Sequence, residues 1–164
     1  CSIVGHSIGG LIARYMLERS ATDPARNGFN DGDNSMDQFV DKLVMLGVPN
    51  AGASQITFAF ERLQSSLTGP DLSLIQISQD LSELPSSLPI LMNANYVDNA
   101  TLYHLIYGDL GTGTDGVVTT ASALALSLTS PASATLFNIG HDDLHLRATS
   151  TGVAIWLGTL LQGQ

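Results

Sequence analysis

The segment that most constrains this chain is its first nineteen residues, where an apolar run, a glycine-bracketed serine and an amphipathic stretch follow one another without a gap. Cys1-Ser2-Ile3-Val4-Gly5 reads as the end of a buried strand. Gly9-Gly10 then leads directly into LIARYMLERS, in which Leu11, Ile12, Tyr15 and Met16 share one apolar face at helical spacing, with Arg14, Glu18 and Arg19 assigned elsewhere. A strand that turns this sharply into a helix is the opening of a βα unit, and such units assemble into parallel sheets.

The alternation continues along the chain. Residues 20–38 form a polar loop rich in Asp, Asn and Gly, and 39–48 (FVDKLVMLGV) predict a second buried strand closed by Pro49-Asn50-Ala51-Gly52. Residues 53–95 are mostly helical in pattern, interrupted at Gly69-Pro70, Pro85 and Pro89. TLYHLIY (101–107) and ATLFNI (134–139) predict a third and a fourth strand, and VAIWLGTLL an apolar C-terminal helix. The expected fold class is α/β, a mostly parallel sheet with helices on both faces, in one domain spanning 1–164. In such sheets functional groups collect at the carboxyl ends of the strands. Ser7, Asp115 and His141 each lie just past a predicted strand end, which places them on one edge.

A serine hydroxyl is a weak nucleophile until a base removes its proton. The pattern Gly5-His6-Ser7-Ile8-Gly9 sets the serine on a strand-to-helix turn, its oxygen exposed and the next amide, that of Ile8, free to hold an oxyanion at a helix N-terminus. The flanking glycines are expected to remove Cβ clashes within the turn. The pattern is short, and a chain with 16 glycines can produce it as a simple helix-capping turn. The order of partners adds weight: a carboxylate and then a histidine should follow the serine. Asp115, beside Val117-Val118, is the expected acid, with Asp109 as the alternative; His141 is the expected base, with His145 as the alternative. His6 is expected to pack or hydrogen-bond locally, and His104, in mid-strand, to be a core or surface histidine.

Two other patterns carry less. Residues 111–116 match G-x-G-x-x-G, but a dinucleotide site needs a helix to begin there, and Val-Val-Thr-Thr follows. Asn30-Asp31-Gly32-Asp33-Asn34 lacks the length and terminal glutamate of an EF-hand loop and is expected to be solvated. No metal and no cofactor are expected.

Composition narrows the partners. With a net charge of −9 and a single lysine, Lys42, the surface repels phosphate backbones, which argues against nucleic acid and favours a small or lipid-like neutral substrate. No apolar run reaches the roughly 18–20 residues of a spanning helix, so no transmembrane segment is expected. Cys1 is the only cysteine, which rules out an internal disulfide. The scarcity of lysine and wealth of Ser, Thr and Gly lean towards an extracytoplasmic protein.

GHSIGGLIARYML resembles the nucleophile segment of α/β-hydrolase lipases and bacterial esterases, including relatives of GPI-inositol deacylases. VMLGVPNAGA resembles the next strand and its turn in that group, with valine and asparagine where threonine and histidine are usual; TDGVVTTASA resembles the acid loop and IGHDDLH the base loop. The resemblance implies a carboxylic-ester hydrolase with a Ser7-His141-Asp115 triad. It also implies that 53–95 is a helical insertion capping the site, with Phe58, Phe60 and Leu63 among its apolar residues. The family places several strands and a second oxyanion donor ahead of the serine, so the chain is expected to be the C-terminal part of a longer fold, completed by a missing N-terminal segment. A non-catalytic binding module on the same fold is the alternative from another class. Thioesterases, amidases and peptidases share the triad.

Overall fold

A computed structural model describes residues 1–18, 39–53, 80–82, 87–94, 100–126, 131–146 and 151–162. Four strands, β1 (Ser2–His6), β2 (Lys42–Leu46), β3 (Leu102–Gly108) and β4 (Ser133–Phe137), form one sheet in the order β1-β2-β3-β4, every pair parallel. The helices are α1 (Ile8–Glu18), α2 (Leu88–Ala94), α3 (Thr120–Leu124) and α4 (Thr151–Gln162), with a 3-10 turn at Asp142–His145. The expected α/β alternation is therefore present, each predicted strand lying within three residues of its place.

The period-2 alternation of strand side chains explains why helices cover both faces. Leu43 and Met45 of β2, with Tyr103 and Leu105 of β3, pack on one face against Leu11, Ala13 and Leu17 of α1. Val44, Leu46 and Ile106 point the other way, into a cluster with Val153, Trp156 and Leu157 of α4. All five residues of β2 are buried. Lys42 opens that strand, and its Nζ donates to the Leu160 carbonyl at 2.9 Å, satisfying a carbonyl in the last turn of α4. None of the described helices is long and apolar enough to cross a membrane.

Helix α1 departs from its expected orientation. Its buried residues are Gly10, Leu11, Ala13, Arg14, Leu17 and Glu18, while Ile12 is 56% exposed. Small residues at Gly10 and Ala13 suit close approach to the sheet. Arg14 is tolerated inside because every arm of its guanidinium is used. Nε and Nη2 donate to the two Glu18 oxygens at 2.7 and 2.8 Å, Nη1 to Asn50 Oδ1 at 2.9 Å and Nη2 to Asn93 Oδ1 at 3.0 Å. Asn50 donates onward to the Ala123 carbonyl, and Asn93 to the carbonyls of Asn50 and Ala125. The network thus joins α1, the loop after β2, α2 and the end of α3. Removing one member of a buried pair strands the other charge, so Glu18→Ala is expected to destabilise the fold by about 3–5 kcal/mol. The double replacement Arg14→Met with Glu18→Leu, which removes both charges, should cost less. Urea unfolding of the three proteins checks this; equal midpoints for Glu18→Ala and wild type would remove the argument.

Of the segment expected to cap the site, residues 54–79, 83–86 and 95 lie outside the described residues, and so do Phe58, Phe60 and Leu63, the polar loop through 38 and its Asp-rich stretch.

Candidate active site

The turn after β1 carries Ser7 in a left-handed conformation, φ 52°, and it is the only described non-glycine residue with positive φ. That conformation costs an L-residue about 1–3 kcal/mol and persists only where the surroundings enforce it. They do so here: the Ser7 amide donates to the Leu46 carbonyl at 2.9 Å, extending the ladder to β2, and the Ser7 carbonyl accepts from the Gly10 amide at 3.0 Å, starting α1. The Ile8 amide stands at the first residue of that helix. The steric need for glycine falls on Gly5 and Gly10 rather than Gly9. A Cβ on Gly5 would lie 2.7 Å from Gly10 Cα and one on Gly10 would run into the Val48 side chain, whereas a Cβ on Gly9 would meet nothing within 4 Å.

Asp115 stands in the loop after β3, and His141 in the loop after β4, just ahead of the 3-10 turn. The two loops are joined through their backbones, the His141 amide donating to the Asp115 carbonyl at 2.9 Å. The side chains form a line. Asp115 Oδ1 accepts the amides of Val117 and Val118 at 3.0 and 2.7 Å, and Oδ2 accepts from His141 Nδ1 at 2.8 Å. With the proton on Nδ1, His141 Nε2 is an acceptor and faces the Ser7 hydroxyl, which donates at 3.0 Å. Asp115 and His141 are buried. Burial by itself would raise the Asp115 pKa, but the His141 hydrogen bond and the two valine amides outweigh it and hold the carboxyl below its ordinary value.

The structure thus brings Ser7, Asp115 and His141 together and leaves the alternatives elsewhere. Asp109 is half-buried; its Oδ1 accepts the amides of Gly111, Thr112 and Gly113 at 2.8, 2.9 and 2.8 Å, closing its own turn, with Gly113 first among the bonds that lower its pKa. His145 packs its ring against that of His6, centroids 4.3 Å apart. His104 is a buried strand histidine, its Nδ1 paired with Ser133 Oγ at 2.9 Å and its ring edge-on to Trp156. Gly111, Gly113 and Gly116 have positive φ in the loop that carries Asp115, and the next helix begins only at Thr120, so the G-x-G-x-x-G stretch lacks the helix that a dinucleotide site uses. His6 corrects its expectation: its hydrogen-bond partner is not local but the carbonyl of His141, at 3.0 Å.

Sequence reasoning passed over Gly47, which follows β2. It has φ 56°, and a Cβ there would lie 3.1 Å from His141 Nδ1, 3.2 Å from Asp115 Oδ2 and 2.7 Å from Leu144 Cδ1. A side chain there would be strained at this backbone and would crowd Asp115 and His141 across the strand end. A glycine at the end of an otherwise apolar run was the available signal. Leu144, also missed, is wholly buried and anchors the 3-10 turn into the core beneath the site.

No protein-family model matches the sequence, and no curated protein does at a significant level. Among solved structures, the chain is similar to phospholipase PlaB from Legionella pneumophila in complex with thio-NAD, with TM-score 0.65, 17% identity, and coverage of 98% of this chain and 41% of that one. A second structure of the same phospholipase gives TM-score 0.60 and 18% identity over 99% of this chain and 43% of that one. The chain therefore spans about two fifths of the length of the structures it matches. The parallel sheet, the helices on both faces and these likenesses together identify the fold as that of an α/β-hydrolase.

Proposed function

We propose that this chain carries the nucleophile, base and acid of a serine hydrolase that cleaves carboxylic esters. The observation that carries the proposal is the unbroken line from Ser7 Oγ through both nitrogens of His141 to Asp115 Oδ2, at 3.0 and 2.8 Å. Ser7 attacks the ester carbonyl carbon while His141 Nε2 takes the hydroxyl proton. Asp115 holds the ring in the required tautomer and stabilises the imidazolium. The oxyanion forms next to the Ile8 amide, where the N-terminal end of α1 favours negative charge. As the carbon–oxygen bond to the alcohol breaks, His141 returns its proton to the leaving oxygen. Water, deprotonated by the same histidine, then releases the acid and restores Ser7.

Two features support a lipid-like acyl substrate. The Ile8 side chain, next to the nucleophile, is 45% exposed, and the net charge of −9 disfavours anionic head groups. The structural neighbours bear the name phospholipase, which makes a zwitterionic phospholipid the first natural ester to try.

Treating the intact protein with a fluorophosphonate probe should give one adduct, located on Ser7 by peptide mass spectrometry. Short- and long-chain p-nitrophenyl esters, phosphatidylcholine, a matched thioester and a matched anilide then rank the substrate classes, with the long-chain oxygen ester expected to lead. Absence of an adduct, or an adduct on another residue, would overturn the proposal.

A further inference from the structure

We propose that His6 is a positioning residue for His141, tying the backbone of the base to the turn that carries the nucleophile; the inference rests on the ester-hydrolase function proposed above. A carbonyl oxygen can only accept, so the 3.0 Å contact between His6 Nε2 and the His141 carbonyl fixes the proton on His6 Nε2. The neighbouring residue, Ser7, meets the ring of the same histidine at 3.0 Å. Two consecutive residues, the last of β1 and the first of the turn after it, therefore grip His141 at its backbone and at its ring, and the serine–base distance becomes part of a closed loop of contacts.

The other supports of this segment act from different sides. The His141 amide is held by the Asp115 carbonyl, and Leu144 is buried below. On the His141 carbonyl itself the further bond is the long 3.4 Å contact from the Leu144 amide, so the His6 bond is the shorter constraint. The His6 ring also packs against both ends of the base segment, with centroids 4.8 Å from His141 and 4.3 Å from His145. Burial, and secondarily the nearby His141 and His145, disfavour its cationic form, against the His141 carbonyl bond and Asp142, which favour it; its pKa is lowered on balance. A neutral His6 can hold the carbonyl without setting a positive charge beside the base.

The test compares His6→Leu, which keeps bulk but has no donor, with His6→Gln, whose Nε2 can reach the same carbonyl, in the intact protein. A misplacement on the order of 1 Å at a reacting group costs about 100-fold, so His6→Leu is expected to lower kcat by about 10- to 100-fold with KM within about twofold. His6→Gln should recover most of the loss. The downfield proton resonance of His141 Nδ1–H, which reports its bond to Asp115, should move in His6→Leu and return in His6→Gln. If His6→Leu fails to fold, His6→Asn, too short to reach the carbonyl, takes its place. Full kcat with an unmoved resonance in the donor-free variant, or a glutamine variant as slow as leucine, overturns the inference. Should the wild type show no Ser7-dependent turnover, the proposed function falls, and the resonance alone decides whether His6 positions His141.

Discussion

Replacing Ser7 with alanine is expected to lower ester turnover by about 10⁴- to 10⁶-fold, the largest effect of any single change in this chain. The remaining rate is what binding and the Ile8 amide supply without covalent catalysis. Alanine keeps the Cβ, so the left-handed backbone at this position, φ 52°, stays as strained as before. Glycine at the same position removes both the hydroxyl and the strain. Ser7→Gly should therefore be as inactive as Ser7→Ala yet more stable than it by about 1 kcal/mol, since the relief at positive φ exceeds the entropy glycine adds to the unfolded chain. Initial rates with a p-nitrophenyl ester, with urea midpoints for both variants, check the pair. Turnover near the wild-type rate in either variant would remove Ser7 from the chemistry, and a less stable glycine variant would remove the strain.

Asp115→Asn is expected to reduce kcat by about 10⁴-fold with little change in KM. The reason lies in which oxygen is already committed. Oδ1 accepts the amides of Val117 and Val118, so an asparagine keeps its carbonyl oxygen there and turns its NH₂ towards His141. His141 Nδ1 must then accept, its proton moves to Nε2, and the nitrogen facing Ser7 can no longer take a proton. The pH dependence follows from the depressed carboxyl. A group whose pKa is lower in the folded state contributes stability that is fully present above its unfolded value, near 3.9, and is lost as pH falls through the folded value. The Asp115–His141 alignment should thus survive to a pH below the ordinary carboxylate range. Any acid limb of the rate profile above that range belongs to a group other than Asp115. A stability loss centred above pH 4 that vanishes in Asp115→Asn would contradict this, as would an asparagine variant with wild-type kcat.

Much of the site is written in local patterns. The strand, turn and helix around Ser7 are specified by adjacent residues, and Asp115 and His141 follow as loop residues after apolar runs, so the sheet edge they share could be read from the order of elements. The choice between acids and between bases was not local. Asp109 and Asp115 are both loop aspartates, and only the paths of the β3 and β4 loops decide that one meets His141 while the other closes its own turn on three amides.

The buried face of α1 shows the same division more sharply. Helical periodicity assigns Ile12 inward and Arg14 outward, because local hydropathy prices a guanidinium as a solvated group. The tertiary structure reverses both, since Asn50 and Asn93, 36 and 79 residues from Arg14, supply the acceptors that make its burial tolerable. The amino-acid sequence by itself thus determined the alternation of strand and helix, the parallel sheet and the sharp turn at Ser7, all consequences of short-range sterics and hydrophobic period. Only the tertiary structure decided which histidine meets the serine, what holds it there, and why Gly47 must lack a side chain. Each of these depends on atoms brought together by the sheet from distant parts of the chain.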